Sequence, residues 1–227
     1  LKSIELHKLE AVLERAKVPY TGWPMFWIPE RPEIAPREVD GTLECWLAPD
    51  APPIKRAFGD ASHCDFWRAA PSGQMFLMRG YQEDGQETFD PGTIFDTTLP
   101  IWRLGEGLVH AARLAELLKR DPDTDITVHF RALYAGLSGR ILRSWANPLS
   151  DLIFEGTAAR SDEALLELEA PASEIEANLS GYVFPLVASL YERFGVTGLT
   201  VSRIENEIER LKTSRTDGSK RILRARK

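Results

Sequence analysis

The sequence predicts an α+β fold, a mainly antiparallel sheet with packed helices, closed by two C-terminal helices. Strand-like stretches in the first half follow one another across turn-forming residues without alternating with helices, which speaks against a doubly wound parallel sheet. After Pro100 the apolar period lengthens from that of a strand to that of a helix. Near the end, Ser173 with Glu176 and Ser202 with Glu205 have the form of capping boxes, in which the Ser caps a backbone N–H and the Glu reaches back.

Taken in order, Leu6, Leu9, Leu13 and Ala16 recur at helical spacing with Val12 alongside, so residues 2–17 read as an amphipathic helix that stops near Pro19. This stripe must pack on its own domain or on another chain, and a homodimer through the helix is the expectation. Prolines at 19, 24, 29, 32 and 36 exclude regular helix and favour extended chain pinned by Trp23, Phe26 and Trp27. Thr42 to Leu47 alternates as a strand. Asp65 to Ala69 and Gln74 to Tyr81 flank Pro71-Ser72-Gly73 and read as a β-hairpin. Asp90-Pro91-Gly92 is a turn, followed by a short strand from Thr93 to Asp96.

Leu104, Leu108, Ala111, Ala112, Ala115 and Leu118 then share one helical face in an Ala-rich run to Arg120. Ile126 to Tyr134 has the highest β-branched and aromatic content, and Gly136 to Gly139 turns it toward Arg140 to Trp145 as a second hairpin. Ala164 to Leu168 is a further strand, closed by Pro171. The first capped helix runs to about Phe194 and stops at Gly195; the second passes through Ile204, Ile208 and Leu211. The expected organisation is a helix over 1–19, one α+β domain over 20–212 with a sub-boundary near 121–124 as an option, and a flexible basic tail over 213–227.

With 43% hydrophobic and 27% charged residues the composition is that of an ordinary globular chain. No run approaches the ~18 consecutive apolar residues of a membrane span, and the charged opening segment has no signal-peptide core. Sparse cysteine, Cys45 and Cys64 only, suits a reducing compartment, so a cytoplasmic location without membrane contact is expected. The start within a helix and without Met suggests a fragment whose DNA-binding or catalytic half lies upstream. A net charge of −6 speaks against a surface built throughout for nucleic acid. The end of the chain differs: from Arg210 to Lys227 only Asp217 opposes the basic residues. Arg215, Lys220, Arg221, Arg224, Arg226 and Lys227 are therefore the candidates for a weak, sequence-insensitive nucleic-acid contact.

Tryptophan is concentrated between Trp23 and Trp102, beside turn-forming or charged groups. Such a cluster is either an aromatic core, the ordinary fate of indole, or a concave face that stacks on something flat. On the core reading Trp67 and Trp102 join the hairpin to the helix after Pro100. On the binding reading Trp23, Trp27, Trp67, Arg79 and Trp102 are the candidate residues for a small-molecule or protein ligand.

Other chemistry is thinly represented. Cys45, His63, Cys64 and His110 are the metal ligands to weigh, but adjacent His63-Cys64 is awkward for a tetrahedral site, so no metal or cofactor is expected. Gly136-Leu137-Ser138-Gly139 lacks the strand–elbow–helix context of a nucleophile and reads as a turn. Leu104-Gly105-Glu106-Gly107 reads as the start of a helix, with Glu106 opposing any anion there. Glu83, Asp84 and Glu87 read as solvent-facing loop carboxylates, and His129, out of parity with Val128 and Phe130, falls on the outer face of its strand. No acid–base, nucleophile or metal constellation emerges, so an enzyme is not expected.

Thr21-Gly22-Trp23-Pro24 through Arg31-Pro32, Asp65-Phe66-Trp67-Arg68, Met78-Arg79-Gly80-Tyr81-Gln82-Glu83-Asp84 and Leu99-Pro100-Ile101-Trp102-Arg103 resemble the C-terminal region of bacterial proteins that carry an N-terminal Schlafen/Alba-type DNA-binding domain. The resemblance spans about residues 20–210, rests on aromatic phrases, and brings no catalytic or binding residue with it. It implies a regulatory, sensing or assembly module of a DNA-associated protein. The expected function is thus a non-catalytic sensor or interaction module, with two alternatives: a nucleic-acid-binding module using the basic tail and exposed aromatics, or an enzyme of unrecognised type.

Overall fold

Helix α2, Leu99–Leu118, organises the molecule because it is apolar on opposite sides. The computed structural model describes residues 1–21, 24–47, 65–86, 88–146 and 156–224, with side chains through residue 213. In it, Leu104, Leu108, Val109 and Ala112 face one hydrophobic core while Leu114 and Leu118 face another. Gly105 and Gly107, expected at a helix start, lie buried in its middle. The reason is close packing: a Cβ on Gly105 would come within 3.1 Å of Ile208, and one on Gly107 within 3.1 Å of Phe130.

The N-terminal core lies between α1 (Leu6–Ala16), α2 and a four-stranded antiparallel sheet. Its strands, β1 (Arg37–Val39), β2 (Thr42–Leu47), β3 (Asp65–Ala69) and β4 (Met75–Arg79), lie side by side in chain order. Alternation turns Leu43, Cys45, Leu47, Trp67 and Ala69 inward. Trp67 is only 1% exposed, and its indole N–H donates to the Trp27 carbonyl at 2.9 Å. The β3–β4 hairpin forms as expected, with Gly73 at φ +92° closing the turn. Leu9, Leu13 and Ala16 of α1 are buried in this same core. The stripe expected to hold a second copy is therefore occupied by its own domain.

The C-terminal core is built from β6 (Thr127–Tyr134), β8 (Ala164–Pro171), α3 (Ala172–Ile175), α4 (Leu179–Glu192) and α5 (Val201–Arg224), with the parallel pair β5 (Ile94–Asp96) and β7 (Ile141–Arg143). The hairpin expected between Ile126–Tyr134 and Arg140–Trp145 does not form. Gly136 and Gly139 do turn the chain at φ +70° and +81°, but β6 pairs along its whole length with β8, from Thr127↔Pro171 to Tyr134↔Ala164. A three-residue β7 cannot supply a ladder for an eight-residue strand, whereas β8 matches it.

The capping boxes are also not formed. The Ser173 hydroxyl donates to Asp125, and Ser202 lies inside the first turn of α5. The helix expected from Ser173 to about Phe194 is instead divided into α3 and α4. Helix α5 continues to Arg224, past the expected boundary at residue 212. The class is mixed α+β, and no helix among the described residues is long and apolar enough to cross a membrane.

Candidate functional site

The seam between the two cores is polar. At the end of β3 and β4, register partners Asp65 and Arg79 both turn inward, and Arg79 Nε donates to Asp65 Oδ1 at 2.7 Å. Arg103 and Glu106 rise from α2 beside them. Glu106 is fully buried, and its carboxylate accepts the Thr21 N–H at 2.7 Å and the Thr21 hydroxyl at 2.9 Å. Arg103 Nη1 donates to Thr21 Oγ1 at 3.1 Å and lies 3.6 Å from Glu106 Oε2. Burial, reinforced by the neighbouring Arg79, draws the Arg103 pKa down to about 10; burial likewise raises that of Glu106.

Asp96 fixes the N-terminal end of α2. Its Oδ1 accepts the N–H groups of Thr98 and Leu99 at 2.7 Å, and its Oδ2 those of Trp145 and Ala146 at 2.8 Å. One buried carboxylate thus satisfies helix-end donors and ties the segment after β7 to the helix. The anion position at this helix end is filled from within the chain.

Of the loop carboxylates expected in solvent, Glu83 is buried and Asp84 only partly exposed. Glu83 is 3% exposed and accepts the Asp96 N–H at 3.0 Å; burial lifts its pKa to about 7. Asp84 makes a bidentate pair with Arg140, both bonds at 2.7 Å. Arg140 in turn donates to the carbonyls of Gly136 and Ile94 and lies 4.5 Å from the Tyr81 ring centre. These partners draw the loop inward, while Glu87 lies outside the described residues.

Against this network opens a cleft of about 390 Å³, lined by Thr21, Gln82, Leu99, Trp102, Arg103, Trp145 and Ala146. It combines two indoles, a guanidinium and an amide at the N-terminal end of α2. A larger groove, of about 460 Å³, lies near α1, α2 and α3, but the Arg113 in its wall is held by Glu176 at 2.7 Å.

The candidate ligand residues divide. Trp102 lines the cleft and packs, half-buried, against the C-terminal core, and Arg79 lies close to Arg103. Trp67 and Trp27 belong to the N-terminal core, and Trp23 lies outside the described residues. Arg103, Gln82, Thr21 and Trp145 were not anticipated. Arg103 follows directly on Trp102, but Trp145 stands apart from the tryptophan-rich stretch and is held at the cleft by the bond of its N–H to Asp96.

A second feature is the outer face of the four-stranded sheet. Trp46, Phe66 and Met78 form a row across β2, β3 and β4, with Phe76 beside it. The Trp46 and Phe66 ring centres are 5.7 Å apart, and those of Phe66 and Phe76 6.2 Å. The legible signal was apolar residues at both parities of these strands.

Among the described residues no three His, Cys, Asp or Glu side chains could together hold a metal ion. The Cys45 thiol donates to the Ile34 carbonyl at 3.3 Å, and burial pushes its pKa up to about 12. His110 stacks on Phe26 at 4.9 Å, with burial taking its pKa down to about 4. His129 lies on the outer face as expected and meets Glu169 at 2.9 Å. His63, Cys64, Arg226, Lys227 and the side chains of Arg215, Lys220, Arg221 and Arg224 lie outside the described residues. Compared with known proteins, the chain matches no family model, no curated protein and no solved structure.

Proposed function

We propose that the chain is a non-catalytic sensor module, in the setting of a DNA-associated regulator that its aromatic phrases suggest, and that the α2 cleft holds the small molecule it senses. The observation that carries this reading is the presence, in one cleft, of Trp102 and Trp145 with Arg103, Gln82 and Thr21. Indoles offer area to a flat ligand, and Arg103, held by Thr21 and close to Glu106, brings positive charge to an anionic edge. A flat molecule with an anionic edge fits that set. The carboxylates with raised pKa values, Glu83 and Glu106, are buried and bonded to backbone or Thr21, which favours a structural part for them over acid–base chemistry.

Benzoate, with uncharged benzamide as control, is a suitable probe. Benzoate is expected to raise the melting temperature and quench tryptophan fluorescence, and Trp145→Ala to abolish both effects while the free protein stays folded. No response to benzoate, or an equal response in Trp145→Ala, would overturn the assignment of the cleft.

A nucleic-acid reading has one observation in its favour, the basic run from Arg210 carried on helical backbone to Arg224. Cations there would neutralise phosphates with a steep salt dependence and read no base. Fluorescence anisotropy on the intact chain and on one ending at Thr213, which keeps the buried Leu211, tests it. Binding that survives the truncation takes the contact away from the tail.

A further inference from the structure

The outer face of the β1–β4 sheet has an apolar centre and almost no net charge. Trp46, Phe76 and Met78 are 49%, 56% and 50% exposed. Arg37 and Arg68 converge on one carboxylate, Glu44, at 3.4 and 2.7 Å. By strand alternation Val39 and Thr42 share this face. Lys is absent from its strands, and aromatic residues, Met and Arg dominate it, the composition that marks the centre of a protein interface.

We propose that this face packs against the same face of a second copy of the chain, forming a two-fold sandwich of two four-stranded sheets. Two antiparallel sheets meet face to face about 10 Å apart with interdigitated side chains, and a two-fold axis makes one self-complementary patch sufficient. The apolar centre supplies part of the area that a stable dimer needs. With large side chains at roughly 200 Å² each, half-exposed Trp46, Phe76 and Met78 supply about 300 Å² of apolar centre per copy. Specific interfaces bury about 800 Å² per partner, and Phe66, Val39, Thr42 and the stems of Arg37 and Arg68 extend the patch toward that figure as a rim.

Electrostatics select the same occupant. At a net charge of −6 two copies repel through most of their surface. This face holds two guanidiniums against one carboxylate, so copies meet here without acidic repulsion. The same near-neutrality makes it a poor track for a phosphate backbone.

Sedimentation equilibrium on the full chain is the test. The wild-type chain is expected at twice the monomer mass at micromolar concentration, and F76E/M78E at half that value with the far-UV circular dichroism of the folded chain retained. Trp46→Gln on the same face is the second variant should F76E/M78E not fold, with the same loss of dimer expected. L133E/L165E, which alters exposed apolar residues of the β6–β8 ribbon, is expected to remain dimeric. A monomeric wild type, a dimer that persists in F76E/M78E or Trp46→Gln, or a dimer lost in L133E/L165E would each overturn the proposal. So would retention of a single-stranded oligothymidylate by a monomeric wild type and its loss in F76E/M78E, which would give the face to nucleic acid.

Discussion

The outer faces of the β6–β8 ribbon and the β1–β4 sheet differ in kind. On the ribbon, cross-strand partners His129 and Glu169 meet at 2.9 Å, and Arg131 Nε donates to Glu167 at 2.8 Å, leaving only Leu133 opposite Leu165 as an apolar pair. On the sheet the corresponding positions carry Trp46, Phe66, Phe76 and Met78, and its ion pairs gather on Glu44 to one side. The inner faces, by contrast, are alike: alternating apolar residues against helices. Inward alternation therefore reports the need for a core in both places. Outward residues differ in what they offer, charged pairs to water on the ribbon and exposed aromatic and Met side chains on the sheet.

The most forceful way to break this comparison is to exchange faces within one residue type. Trp67→Ala is expected to cost about 3–5 kcal/mol, enough to unfold a marginal domain, because it empties a core site and removes the bond to Trp27. Trp46→Ala, on the adjacent strand but facing outward, leaves the chain's own core intact and is expected to cost less, its loss coming from the proposed contact between copies. Thermal melts of the two variants, side by side, read the difference between the faces. Equal losses would mean that Trp46 is part of a core.

A smaller effect sharpens the contrast between buried and surface charge. Burial raises the Glu83 pKa from the ordinary 4.5 to about 7, so the native state keeps a proton that the unfolded chain releases. Stability from this group is then present below about pH 4.5 and falls as pH rises to about 7, by roughly 1 kcal/mol per pH unit. His110 has the opposite slope, since its depressed pKa of about 4 makes stability fall as pH drops below 6.5. Glu83→Gln isolates the first contribution: its stability relative to wild type is expected to improve steadily between pH 4.5 and 7 in denaturant titrations. A constant difference across that window would remove Glu83 as its source.

The smallest expected effect belongs to the ribbon. Arg131→Ala should change stability by no more than about 0.5 kcal/mol, since an exposed cross-strand pair gains little against water. What change remains should diminish in high salt. A larger, salt-insensitive loss in chemical denaturation would place Arg131 in a structural network.

Local pattern made the inner faces readable. The stripe of α1, the β3–β4 hairpin around Gly73 and the strand from Thr127 each follow from spacing within a few residues. Pairing between distant segments was not readable. The glycines after β6 signal a turn, but whether the chain then returns beside β6 depends on β8, which lies beyond β7 and offers a longer ladder. Glu83 and Asp84 look solvated for a similar reason, since their partners, the Asp96 backbone and Arg140, come from β5 and the residue before β7. Gly105 and Gly107 look like punctuation when seen alone; only the approach of Ile208 and Phe130 explains them. For the cleft, Trp102 was visible as a candidate, whereas Trp145 joins it through Asp96, a capping carboxylate whose reach across the chain has no local signature.

Helix α2 gives the two halves a common fate. From Leu104 to His110 every residue is buried, and the same helix supplies Leu114 and Leu118 to the opposite core. Loosening either half would strip neighbours from a helix on which the other depends, so partial unfolding has no stable stopping point between the cores. The chain should melt in one cooperative transition, with α2 amides among the last to exchange with solvent. A disturbance at the cleft, where α2 begins, would then be felt as a change in the stability of the entire molecule.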